Sequence, residues 1–92
     1  MFKLALDNQV SKDAAQKLSA HYEVVMNAGD LPDEEWIEQA LLLDANIFIS
    51  PDLDVPNYLD RIQSDARWID LPQNLRSHNQ FDFIMKKIEA LK

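Results

Sequence analysis

Carboxylates are the residues of this 92-residue chain whose type and spacing best suit chemistry, and four stand out: Asp7, Asp33, Asp52 and Asp54. Carboxylates gathered in one place raise one another's pKa values and repel, unless they bind a cation or share a proton. A ligand set made only of oxygens, without His or Cys, favours Mg²⁺ or Mn²⁺. Two such ions suit phosphodiester hydrolysis, because one activates water and the other stabilises the leaving oxygen.

The elements that must position these aspartates follow from hydropathy. Four short apolar runs alternate with four stretches of helical periodicity, which is typical of a repeating βα fold. The pattern predicts strands at residues 2–6, 22–26, 45–50 and 67–71. It predicts four helices. The first begins after an N-cap at Ser11, the second covers residues 33–43, the third has Pro56 in its first turn and ends at about residue 63, and the fourth begins at about residue 79. A loop holding the chain's single glycine is expected at 27–32.

Strands joined by helices run parallel, and right-handed crossovers bring their carboxyl ends to one edge of the sheet. We therefore expect one three-layer α/β/α domain over residues 1–92, with about four parallel strands in the order 2-1-3-4. That order changes direction between strands 1 and 3, where open α/β sheets bind ligands. Asp7 and Asp52 flank this position.

Charge and composition exclude several classes of protein. The chain has 16 acidic and 9 basic residues and a net charge of −7, which argues against affinity for nucleic acid that comes mainly from Lys and Arg. A partner RNA would have to be steered by the basic residues of the last third: Arg61, Arg67, Arg76, Lys86 and Lys87.

The absence of cysteine excludes disulfides, thiolate zinc sites and iron–sulfur clusters. With no signal or membrane segment visible, a cytoplasmic location is expected.

Three segments carry a resemblance to a known family: LALDN at residues 4–8, DEEWIEQA at 33–40 and IFISPDLDV at 47–55. Together they resemble the short PIN-like domains related to VapC toxins, in which a strand ends in Asp, a later helix opens with Asp, and an apolar strand runs into Asp-x-Asp. The resemblance implies a minimal PIN-like domain with metal-dependent ribonuclease activity. It also implies Asp7, Asp33 and Asp52 as the main ligands of Mg²⁺ or Mn²⁺, and Asp54 as an accessory one.

Other interpretations stay open. Asn8 stands where such domains commonly have Glu, and the acid on an earlier helix of full-length PIN nucleases is missing. These differences favour an inactive PIN-like domain that binds a cognate protein partner or inhibitor, or a second copy of itself. The segment 52–56 also resembles the phosphorylation loop of receiver domains, although the chain has no Thr. Singly, Asp33 is a good helix cap, and Asp7 and Asp52 are good turn formers.

Overall fold

In the structure, the apolar runs form strands and the periodic stretches form helices, and the two alternate along the chain. The computed structural model describes residues 2–27 and 31–92, so residues 28–30 of the predicted glycine loop lie outside the described residues. No helix in the described ranges is both long and apolar enough to cross a membrane. The elements are β1 (Lys3–Leu6), α1 (Lys12–Ser19), β2 (Glu23–Met26), α2 (Asp33–Leu42), β3 (Ile47–Ser50), α3 (Asp54–Arg61), β4 (Arg67–Asp70) and α4 (Ser77–Leu91).

The four strands form one parallel sheet in the order β2-β1-β3-β4, which confirms the predicted fold class and strand order. In the register of the two central strands, Ala5 lies opposite Phe48 and Leu6 opposite Ile49. All four strands end on the same side of the molecule, which we call the carboxyl edge of the sheet. Because each helix returns the chain to the start of the next strand, each helix begins near this edge.

Helices cover both faces of the sheet and complete three layers. On one face, α1 and α4 pack on the side chains of Leu4, Leu6 and Ile49. On the other, α2 and α3 pack on Ala5 and Phe48. The central strand β3 is buried along its whole length, as expected for a parallel strand covered on both faces. The site residues are therefore mounted on a rigid core.

Two helices end in the left-handed backbone conformation without using glycine. Asp44 follows α2 with a φ of 69°, and Gln63 follows α3 with a φ of 59°. In both cases the residue after it donates its backbone N–H to a carbonyl five residues earlier, Ala45 to Ala40 and Ser64 to Leu59. These bonds define Schellman motifs. They end α3 before Gln63, two residues earlier than the sequence predicts.

We expect Gln63→Gly to stabilise the protein by about 0.5–1 kcal/mol, because glycine adopts this conformation without the clash between Cβ and the carbonyl oxygen. Urea unfolding would measure the change. Gln16→Gly is the matched control. Since Gln16 lies inside α1, that substitution should be destabilising by about the same amount. Destabilisation by both substitutions would contradict the expectation that the left-handed backbone at Gln63 favours glycine.

Candidate metal centre

An open crevice of about 550 Å³ lies at the carboxyl edge, where the connections leaving β1 and β3 separate. Three of the four predicted aspartates line it, namely Asp7, Asp33 and Asp52. The crevice occupies the position at which the strand order changes direction, as the rule for open α/β sheets requires. Its other polar walls include Asn27 and Gln73.

Asp7 is held at the floor of this crevice by hydrogen bonds on both carboxylate oxygens. Its Oδ1 accepts the backbone N–H of Gln9 at 3.1 Å, and its Oδ2 accepts the hydroxyl of Ser50 at 2.6 Å. Only 6% of Asp7 is exposed, and Ser50 is fully buried. A buried carboxylate with two donors is fixed in orientation, so Asp7 presents a preset acceptor to the crevice.

The Ser50 hydroxyl also joins Asp7 to the next aspartate along the edge. While it donates to Asp7, its oxygen accepts the backbone N–H of Asp52 at 3.0 Å. Oδ1 of Asp52 in turn accepts the backbone N–H of Asp54 at 2.9 Å. The turn-forming interpretation of Asp7 and Asp52 is therefore confirmed, and it coexists with a shared crevice. The turn engages Oδ1 of Asp52, and Oδ2 takes no part in it.

Asp33 is the first residue of α2, and the prediction that it caps the helix is wrong. The N-cap position belongs to Pro32, which makes no side-chain cap bond. The carboxylate of Asp33 instead accepts the indole N–H of Trp36 at 3.2 Å. This bond holds the Asp33 side chain beside a buried ring, at the entrance of the crevice.

The pKa of Asp33 is raised above its ordinary value of 3.8. Burial is the largest cause, followed by hydrogen bonding between the carboxyl groups of Asp33 and Asp52, while the indole of Trp36 acts in the opposite direction. The negative charges of Asp52 and Asp7 raise this pKa further. The crevice therefore favours an added positive charge, supplied by a proton or a cation.

The donor set fits a divalent cation. One carboxylate oxygen from each of Asp33, Asp52 and Asp54 lies within 4.8 Å of the other two. Oxygen ligands bind Mg²⁺ at about 2.0–2.1 Å and Ca²⁺ at about 2.3–2.6 Å, so oxygens on opposite sides of one ion are about 4–5 Å apart. Asp7 lies outside this group of three but lines the same crevice.

The basic residues that the sequence offers for steering RNA do not form one surface. Arg61 ends α3 and Lys87 lies on α4, and these helices cover opposite faces of the sheet. Arg67 begins β4, at the end of the sheet opposite the crevice. Arg76 lies directly before α4. These basic side chains therefore lie on separate parts of the protein.

Sequence reasoning missed Ser50, which no motif distinguishes from the other serines. Ser50→Ala should destabilise the protein by about 1–3 kcal/mol, because it leaves the buried Oδ2 of Asp7 and the N–H of Asp52 without their partner. Urea unfolding would measure this loss. Ser64→Ala is the matched control, since the Ser64 hydroxyl also accepts a backbone N–H two residues ahead but contacts no carboxylate. Equal losses in the two variants would contradict the special role of Ser50.

The fold and the crevice define a three-layer α/β domain with an acidic centre at the carboxyl edge of its sheet. Comparison of the chain with protein-family models, with curated proteins and with solved structures found no match in any of the three. The resemblance to PIN-like domains therefore rests on the three sequence segments alone.

Proposed function

We propose that this protein is a metal-dependent ribonuclease of the PIN-like type, which hydrolyses phosphodiester bonds at the acidic crevice. The observation that carries the proposal is the convergence of Asp33, Asp52 and Asp54, whose oxygens lie within 4.8 Å of one another. Three carboxylates at this separation are costly unless a cation or a proton is shared among them. The carboxyl edge of a parallel sheet is also where enzymes of this architecture bind their ligands.

Each aspartate has a distinct part in this proposal. Asp33, Asp52 and Asp54 would hold Mg²⁺ or Mn²⁺, and Asp7 would complete the acidic floor from its fixed position beneath them. A bound ion would supply an activated water and neutralise negative charge on the phosphate. The hydrogen bonds to Ser50 and Trp36 keep Asp7 and Asp33 in one orientation, so that the ligand set is organised in advance.

Single-stranded RNA is the proposed substrate, and the charge of the chain determines how it would bind. A net charge of −7 repels a polyanion, and the separated basic residues offer little compensation. Affinity for the phosphate must therefore come mainly from cations held by the crevice. Cleavage should consequently depend on the divalent cation for binding as well as for chemistry.

The proposal is tested by incubating the purified protein with a labelled single-stranded RNA in Mn²⁺, in Mg²⁺ and in EDTA. We expect cleavage with at least one of the two cations and none in EDTA. Asp52→Asn, purified in parallel, should be inactive, which excludes a contaminating nuclease as the source of cleavage. Activity that survives EDTA or the Asp52 substitution would contradict the proposal.

A second candidate function is an interaction module without catalytic activity. The observation that favours it is a pair of exposed apolar side chains that line one pocket where α2 and α3 end: Leu42 is 83% exposed and Ile62 39%. Apolar side chains grouped in this way are typical of protein-binding surfaces. Absence of RNA cleavage in Mn²⁺ and Mg²⁺, together with no stabilisation by either cation, would favour this function over the nuclease.

A further inference from the structure

A polar stripe on α3 leads away from the acidic crevice. Its members are spaced at i, i+3, i+4 and i+7 and so share one face of the helix: Asp54, Asn57, Tyr58 and Arg61. With the beginning of α2 opposite, they line a groove of about 630 Å³, which we call the α2–α3 groove. Asp33 lines both this groove and the crevice, so the two cavities adjoin.

The aromatic ring in this groove is fixed by a hydrogen bond across the helices. The hydroxyl of Tyr58 donates to Oε1 of Glu38 on α2 at 2.7 Å. The guanidinium of Arg61 lies over the ring, 5.0 Å from its centroid, and its Nη2 donates to Oε1 of Glu34 at 2.8 Å. Both partners of that ion pair are exposed, so it is weak and readily exchanged for another contact.

This combination of groups suits a nucleobase better than a phosphate. RNA bases outside a duplex stack on aromatic rings and on guanidinium planes, and they hydrogen-bond through their edges. The amide of Asn57 offers both a donor and an acceptor for such an edge. Glu34, Glu35 and Asp54 line the same groove and repel a phosphate, whereas they do not repel a neutral base.

We propose that the α2–α3 groove is a nucleobase subsite, in which one base of a single-stranded RNA stacks against Tyr58 and Arg61. Tyr58 lies four residues after Asp54, about 6 Å along the helix axis. A nucleotide whose phosphate lies at the crevice would thus place its base in the groove. This inference rests on the proposed function, because the crevice supplies the phosphate site.

The first test compares two small probes by NMR in Mg²⁺: adenosine 5′-monophosphate, and ribose 5-phosphate, which lacks the base. We expect the nucleotide alone to shift the ring protons of Tyr58. Equal shifts from both probes, or none at Tyr58, would overturn the subsite. Shifts at Tyr58 that occur equally in EDTA would support the base contact while arguing against the metal-dependent function. The test therefore distinguishes failure of the subsite from failure of the proposed function.

The second test measures the affinity of a fluorescent single-stranded RNA by anisotropy, with its integrity checked on a gel. Tyr58→Leu should weaken binding about fivefold or more, since it removes one stacking platform. Tyr58→Phe keeps the ring and should retain most of the affinity.

Tyr22→Leu is the matched control for this test. Tyr22 also carries a cation over its ring, that of Lys92, but lines a different pocket, away from the crevice. This control should bind RNA as the wild type does, with the folded state of each variant checked by its melting temperature. Equal losses from the Tyr58 and Tyr22 substitutions, or no loss from Tyr58→Leu, would overturn the proposal.

Discussion

Mn²⁺ at a concentration a hundredfold above its dissociation constant is expected to raise the melting temperature of this protein by about 10 °C or more. An ion that binds only the native state contributes about 2.7 kcal/mol under that condition. For a domain of this size, each kcal/mol corresponds to about 4–8 °C. The physical source of the effect is the repulsion among Asp33, Asp52 and Asp54, which a cation relieves.

Asp52→Asn should remove most of this response and raise the melting temperature without metal. The amide oxygen still accepts the N–H of Asp54, so the turn is kept while a charge is lost. Asp60→Asn removes an exposed charge elsewhere on α3 and should respond to Mn²⁺ as the wild type does. If Mn²⁺ raised the melting temperatures of the two variants equally, the cations would be attracted diffusely to an acidic protein and would not bind at a defined site.

Burial of Asp33, together with the carboxylates beside it, makes the stability of the protein depend on pH. Because its pKa in the folded protein is raised above 3.8, the native state binds more protons than the unfolded state between these two values. The contribution of this group to stability is therefore fully present below pH 3.8 and is lost as the pH rises through the raised pKa. Asp33→Asn should be more stable than the wild type at pH 7 without metal, and this advantage should shrink in acid.

Asp7→Asn is expected to reduce Mn²⁺-dependent cleavage of single-stranded RNA to the level seen in EDTA. The substitution removes a negative charge from the floor of the crevice but keeps the volume of the side chain. Its oxygen still accepts the N–H of Gln9, and its amide NH2 can donate to the hydroxyl oxygen of Ser50, which reverses that hydrogen bond but keeps the contact, so the fold should persist. A gel assay of RNA cleavage, together with a thermal melt, would measure both consequences.

Asp13→Asn serves as the control for this prediction. Asp13 lies in the first turn of α1, exposed and paired with Lys17, and does not line the crevice. We expect it to leave cleavage unchanged. Cleavage by Asp7→Asn at the wild-type rate would contradict the assignment of Asp7 to the site, and a loss of cleavage that accompanies unfolding would assign it a structural role only.

The placement of Asp7 and Asp52 at one crevice follows from the sequence because it depends on topology alone. Alternating strands and helices imply parallel strands, which bring both residues to the carboxyl edge, and the predicted order 2-1-3-4 makes β1 and β3 neighbours. The register between β1 and β3 does not follow in the same way. The paired segments of the two strands, residues 4–6 and 47–49, are continuously apolar, so their side chains carry no alternation from which the pairing could be read.

The register explains why Ser50 was missed. Leu6 pairs with Ile49, so the residues that follow these two, Asp7 and Ser50, come within hydrogen-bonding distance. The stripe that carries Tyr58 was missed for a different reason. Its spacing is visible in the sequence, but the hydrogen bond to Glu38 joins two helices and appears only once they pack together.

The proposed function requires that Asp33, Asp52 and Asp54 bind a divalent cation. The most direct measurement is the anomalous scattering of Mn²⁺ in crystals of the wild-type protein grown with the ion. We expect an anomalous peak within ligand distance of Asp33, Asp52 and Asp54. Anomalous peaks found only at other surface acids, with none in the crevice, would contradict it.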